Sequence, residues 1–174
     1  MGIRVLPAIL VLWSSLVLAD IEGRVVGVAD GDTITVLAGK TQHKVRLSGI
    51  DAPEKSQPYG NASKQSLSDL VYGKEARVET TKKDRYGRDI GKVWVQPVSC
   101  PTCGKTLDAN LTQLTVGMAW WYRYYAREQP EEDRGRYEFA ELEAKAKKAG
   151  LWRDPNPVPP WDWRKASRSA PTSQ

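Results

Sequence analysis

The chain has little of what most metal centres and redox sites are built from. Of its 174 residues one is histidine, His43, and two are cysteine, Cys100 and Cys103. A structural zinc needs four ligands, so zinc within one chain is disfavoured on supply alone. The Cys-x-x-Cys spacing also lacks the βαβ setting of a thioredoxin-like redox pair, and in an exported protein a local disulfide pinning a hairpin tip is the expected state. Closing so short a loop adds little stability. No internal repeat and no second domain is visible. Long apolar runs are scarce too: the stretch from Val5 to Leu18 is shorter than the about 20 residues of a membrane-spanning helix. It follows Arg4 and ends at Val17-Leu18-Ala19, so residues 1–19 read as a secretory signal peptide, with an uncleaved anchor as the alternative. The expected mature chain then starts near Asp20, secreted or periplasmic, with no stable membrane association. Extreme charge is absent as well. The formal net charge is +5, and without Arg4 there remain 25 basic against 21 acidic side chains. That modest excess favours a polyanionic partner without demanding one, because charge bears on association and not on fold.

What is present is a set of short alternating segments separated by turn signals. Residues 21–29, 33–37, 42–48, 76–80 and 90–95 carry strand patterning, with Asp30-Gly31 and Ala38-Gly39-Lys40 as turns. In the third of these Val45 and Leu47 share one face, which directs Lys44, Arg46 and Ser48 to the other. Helical spacing takes over at residues 59–72 through Ala62, Leu67, Leu70 and Val71, closed by Gly73. A second helix is expected from Leu107 or Asp108 to Gly117, with Thr106 or Asp108 as cap. A third runs through Tyr137, Ala140, Leu142, Ala144 and Ala149, acidic early and basic late as the helix dipole favours, and stops at Gly150. The pattern alone supports a small β-barrel plus helices over residues 20–153. Residues 154–174 form a Pro-rich, basic tail whose segment 161–168 is expected to be a solvated, disordered end. Residues 118–125, rich in Trp and Tyr, read either as core and barrel-mouth packing or as a platform on which bases stack, mixed with Arg123.

Chemistry concentrates in three places. In Arg46-Leu47-Ser48-Gly49-Ile50-Asp51-Ala52-Pro53-Glu54 a strand stops, and Pro53 forces a constrained loop that bears a cation and two carboxylates within a short span. Taken alone this is equally a solvated turn with a salt bridge. Asp30-Gly31-Asp32-Thr33 precedes it and Asp84-Arg85-Tyr86-Gly87-Arg88 follows it. In their order and gaps the three motifs resemble the thermonuclease family, of staphylococcal nuclease type, over roughly residues 22–152. The resemblance implies a mainly β fold with α, a five-stranded OB-type barrel with three helices. It implies that Asp32 and Asp51 hold calcium, that Arg46 and Arg88 bind phosphate, and that Glu54 acts on the attacking water. Arg85 matches a family lysine near the substrate phosphate, and Asp30 falls beside the metal ligands. Two tyrosines in this region flank the nucleotide in the family. By register Tyr125 matches one and Arg123 falls at the other, so Tyr122 and Tyr125 stand here as the substrate-binding candidates, with Tyr124 beside them. The Cys100–Cys103 pair has no counterpart in the staphylococcal pattern.

These assignments make chemical sense. Two carboxylates, a backbone carbonyl such as that of Ala52, waters and a substrate phosphate suit calcium, which takes 6–8 oxygens at flexible angles, better than magnesium. Phosphodiester hydrolysis adds negative charge to the phosphoryl oxygens in the transition state, where forked arginines and a divalent ion contribute most. The resemblance further implies low-specificity cleavage of DNA and RNA that leaves 3′-phosphate ends, and a monomer is expected. The alternative is a non-catalytic OB-type module that binds single strands without cutting them.

Overall fold

A computed structural model describes residues 20–169; the signal-peptide expectation for residues 1–19 lies outside them. Five long strands form the body: β1 (Ile21–Val28), β2 (Thr33–Ala38), β3 (Thr41–Leu47), β5 (Glu75–Lys83) and β6 (Asp89–Val95). They lie in the order β3-β2-β1-β5-β6, and a parallel pairing of Val45–Leu47 with Asp89–Gly91 joins β3 to β6 and closes the barrel. Closure leaves these strands no open edge. This is the expected five-stranded OB-type barrel with helices around it. Its interior follows from alternation: Val25, Ile34, Val36, Val45, Leu47, Val78, Val93 and Val95 are each at most 1% exposed.

Three two-residue strands were too short to show a period. β4 (Ile50–Asp51) pairs with β8 (Trp120–Trp121), and β7 (Leu107–Asp108) extends the sheet beyond β6. The helices are α1 (Gly60–Val71), α2 (Ala109–Thr115), α3 (Glu131–Ala146) and α4 (Pro160–Ser169). α1 buries Gly60, Ser63, Leu67 and Val71, so the stripe passes through Ser63 while Ala62 faces solvent. α2 is capped as expected, the Asp108 carboxylate accepting the Leu111 N–H at 2.9 Å. In α3 the expected Leu142 is exposed, and Glu141 is buried one position earlier because it accepts from the Trp121 N–H, Arg123 and Lys145. Cys100 and Cys103 are joined by a disulfide in the loop after β6.

The tail departs most from expectation. Residues 161–168 are not a solvated end but lie within α4, which starts at a buried Pro160. Proline suits the first helical position, and Asp162 early with Arg168 late suits the helix dipole.

Candidate active site

The floor of the site is built by the turn before β2, by β3 and by β4. The Asp30–Thr33 turn joins β1 to β2, with the Asp32 N–H donating to Asp30 Oδ1 at 3.0 Å. Its geometry requires Gly31, because a Cβ there would meet Ser63 Oγ at 1.8 Å and the Ala52 Cβ at 2.8 Å. Gln113 on α2, fully buried, braces this turn: its amide donates to the Gly31 carbonyl at 2.9 Å and the Ser63 carbonyl at 3.1 Å, while Ser66 donates to its oxygen. Asp51 is held from the other side by the pairing of β4 with β8. Neither Ser63 nor Gln113 stood out in the sequence, since polar residues on a helix normally face water.

Arg46 on β3 ties the floor together. Its Nη1 donates to Asp32 Oδ1 and its Nη2 to Asp51 Oδ1, both at 2.7 Å. One planar fork therefore spans carboxylates 19 positions apart in the chain. Asp32 is 3% exposed and also accepts from the Thr33 hydroxyl at 2.9 Å and the Ala52 N–H at 2.9 Å. Burial pushes its carboxyl above the ordinary 3.8, against the pull of Arg46 and those donors, with Asp30 adding to the rise. Burial works against the Arg46 charge as well, but Asp32 and Asp51 outweigh it and hold the guanidinium protonated.

Glu54 sits at the rim, its side chain 40% exposed, on the loop leading to α1. That loop is tight: Gln57 accepts the Glu54 N–H at 3.1 Å, and Gly60 packs so closely that a Cβ would lie 2.0 Å from the Glu54 carbonyl oxygen. Opposite lies the Asp84–Arg88 turn joining β5 to β6. Asp84 Oδ1 accepts the backbone N–H groups of Tyr86 and Arg88, and Oδ2 accepts Arg88 Nε at 2.7 Å, which aims Arg88 at the same cleft. Arg85 packs its guanidinium 4.9 Å from the centre of the Tyr86 ring and also lines the cleft.

The cleft has a volume of about 980 Å³ and brings Arg46, Glu54, Arg85, Arg88, Tyr122 and Tyr125 together. The aromatic stretch divides between the two expected uses. Trp120 and Trp121 are 6% exposed and belong to the core, whereas Tyr122 and Tyr125 meet edge to face at 5.3 Å on the cleft wall, with Lys82 4.9 Å from the Tyr125 ring. Arg123 turns away to Glu141 and stacks over Trp121, and Tyr124 is 78% exposed. Burial raises the Tyr122 hydroxyl pKa, with Asp51 and Tyr125 adding to it. His43 on β3 contacts Asp89 at 3.3 Å, and no cleft side chain bonds it among the described residues.

Arg164 of α4 was not foreseen. Its Nη2 donates to Asp51 Oδ2 at 2.6 Å, and its Nη1 donates to Asp51 Oδ1 at 3.2 Å and to Glu54 Oε1 at 2.7 Å. Three residues earlier, Trp161 stacks on Tyr122 with ring centres 5.5 Å apart. The one signal in the sequence was the spacing of Trp161, Arg164 and Arg168, which share a helix face behind Pro160.

The donor set fits a hard divalent cation. Among the described residues no three His, Cys, Asp or Glu side chains converge as a ready cage. The two buried Asp carboxylates share one guanidinium, and the Ala52 N–H donates to Asp32. An all-oxygen pair of this kind leaves positions for water and for a phosphate oxygen, as calcium or magnesium sites do.

The family model described as "Staphylococcal nuclease homologue" matches residues 44–154, a span that holds Arg46, Asp51, Glu54 and Arg88 and begins after Asp32. The chain is 42% identical to a micrococcal nuclease of Shigella flexneri over 95% of this chain and 93% of that protein. It is 41% identical to the protein ParB of Escherichia coli, over 87% and 83%. An uncharacterized endonuclease of Haemophilus influenzae is 42% identical over 83% of this chain and 74% of its own.

Proposed function

Since the chain belongs to the staphylococcal nuclease family and is therefore a nuclease, we propose that it is a calcium-dependent phosphodiesterase that cuts DNA and RNA with little sequence preference, acting outside the cytoplasm as a monomer. The observation that carries this reading is the convergence of Asp32, Arg46, Asp51 and Glu54 at one end of the barrel, with Arg88 lining the same cleft.

In this reading Asp32, Asp51 and the Ala52 carbonyl hold the cation. Bound there, calcium would supply positive charge beside the phosphoryl oxygens as negative charge builds on them. The side chains do the rest. The scissile phosphate lies between Arg46 and Arg88: Arg88 donates from its fork, and Arg46 from the N–H groups that Asp32 and Asp51 leave free. Glu54, at the rim and open to water, accepts a proton from a water molecule as that water attacks phosphorus in line with the 5′ oxygen. The phosphorus–5′-oxygen bond breaks, the 5′ oxygen takes a proton from solvent, and the phosphate stays on the 3′ side. Tyr122 and Tyr125 flank the neighbouring base, with Arg85 and Lys82 along the backbone path. The residues that choose no particular base are those expected of a site that reads phosphate and stacking alone.

Incubating the purified protein with single-stranded DNA, with calcium or with a chelator, tests the reading. Cleavage with calcium and none with chelator, leaving 3′-phosphate ends, is the expected result. Retardation of the DNA without cleavage under both conditions would replace the enzyme with a binding module.

A further inference from the structure

One element takes no part in that chemistry, yet it touches two of its three carboxylates. α4 lays Arg164 across Asp51 and Glu54 and stacks Trp161 on Tyr122. The segment is anchored ahead of the helix as well, because the Val158 carbonyl accepts the Gln57 side-chain amide at 2.5 Å and Pro160 is buried. Prolines at 155, 157, 159 and 160 restrict the lead-in, so docking it costs less chain entropy than docking an ordinary tail.

The consequence follows from counting acceptors. Each carboxylate oxygen offers two lone pairs. Asp32 Oδ1 gives both, to Thr33 and Arg46, and Asp32 Oδ2 gives one to the Ala52 N–H. Asp51 Oδ1 gives both, to Arg46 and Arg164, and Asp51 Oδ2 gives one to Arg164. A cation could reach Asp51 only at the oxygen that already holds a guanidinium nitrogen at 2.6 Å, and there it would meet a like charge. Asp32 and Asp51, bonded by Arg46 and Arg164, are 3% and 0% exposed.

We propose that α4 is an autoinhibitory strap: Arg164 docked on Asp51 and Glu54 excludes a divalent cation from Asp51, and a cation that binds Asp51 displaces α4 from the cleft. This rests on the reading of Asp51 as a cation ligand. Because Trp161 stacks on Tyr122, release of α4 uncovers that face of the ring in the same movement. Coupling of this kind is reciprocal: whatever factor Arg164 takes from calcium affinity, calcium takes from α4 docking.

The test is calcium titration by calorimetry on the full chain, on Arg164→Gln and on Trp161→Ala, with amide hydrogen exchange followed over residues 160–169. Arg164→Gln should bind calcium about tenfold more tightly. Trp161→Ala loosens the anchor while keeping the carboxylates' partner, so it should show a smaller gain, and it decides the matter if Arg164→Gln does not fold. In the unaltered protein calcium should lower the exchange protection of α4. Equal calcium affinity in the variants, or α4 protection that calcium leaves unchanged, overturns the strap. Weaker DNA binding by Arg164→Gln with no gain in calcium affinity also overturns it and makes Arg164 a phosphate ligand. DNA cleavage in the same samples separates the two ideas: cleavage with unchanged calcium affinities discards the strap and keeps the nuclease. No calcium binding and no cleavage in any sample discards both.

Discussion

The two arginines assigned to phosphate stand in opposite settings. Arg46 lies on the barrel floor, its fork locked between two buried carboxylates at 2.7 Å each; α2 braces the turn that bears Asp32, and the β4–β8 pairing holds Asp51. Arg88 stands on the rim, on a turn whose neighbours Arg85, Tyr86 and Gly87 are all exposed, held by a single acidic residue four positions earlier. The floor is over-determined by distant parts of the chain, whereas the rim is organised by five consecutive residues. A site divided this way holds Asp32 and Asp51 rigidly and leaves Arg88 freer to move. Floor substitutions should therefore cost stability and activity together, and rim substitutions activity alone.

The largest effect should come from Asp51→Ala. It strips Arg46 and Arg164 of a shared buried partner, and removing one side of a buried ion pair costs about 3 kcal/mol. Urea denaturation should show that loss, and calcium-dependent cleavage should vanish. An Asp51→Ala protein as stable as the parent would mean that the floor is not pre-organised. Next come Arg46→Lys and Arg88→Lys. Both keep charge and lose the fork, so both should lower turnover on the order of 10²-fold. They should part on stability: one ammonium cannot span Asp32 and Asp51, so Arg46→Lys should lose about 1–2 kcal/mol, while Arg88→Lys should stay within about 0.5 kcal/mol of the parent. Equal stability loss in both would erase the distinction between floor and rim.

Legibility in the sequence follows the same division. The three charged motifs were readable because each is a local turn, with its Gly or Pro and its charges in one short run, and because their order and gaps match a family pattern. The barrel was readable because its strands are long enough to alternate, and its closure was supplied by that family resemblance. What stayed hidden was support from far away. Gln113 lies 82 positions from the Gly31 carbonyl it holds, and Arg164 lies 110 from Glu54. A polar residue on an amphipathic helix carries no mark of which distant partner will bury it. The same blindness misplaced the buried face of α3, where Glu141 took a core position that an apolar pattern assigns to Leu142. The tail read as solvated because its composition is Pro-rich and basic, and composition cannot register a single stacking contact such as Trp161 on Tyr122.

The smallest effect sharpens the comparison through pH. Asp84 and Asp32 are both carboxylates beside an arginine, yet their acidities move in opposite directions. At Asp32 burial prevails and the pKa is raised. At Asp84 burial also pushes upward, but the Arg88 guanidinium and the backbone N–H groups of Arg88 and Tyr86 outweigh it and lower the pKa below 3.8. A carboxyl whose folded pKa lies below its unfolded value stabilises the fold fully above the unfolded pKa, and that contribution fades as pH falls through the folded one. Asp84→Asn keeps an acceptor for the two backbone N–H groups and removes the negative charge that faces Arg88, so it probes the ion pair. The parent should exceed Asp84→Asn slightly in stability at neutral pH, and the two should converge below pH 3.8. Weaker DNA binding with little change in folding would place the effect of Asp84 on the aim of Arg88. A stability gap that persists in acid would instead tie this turn to the barrel as firmly as the floor is tied.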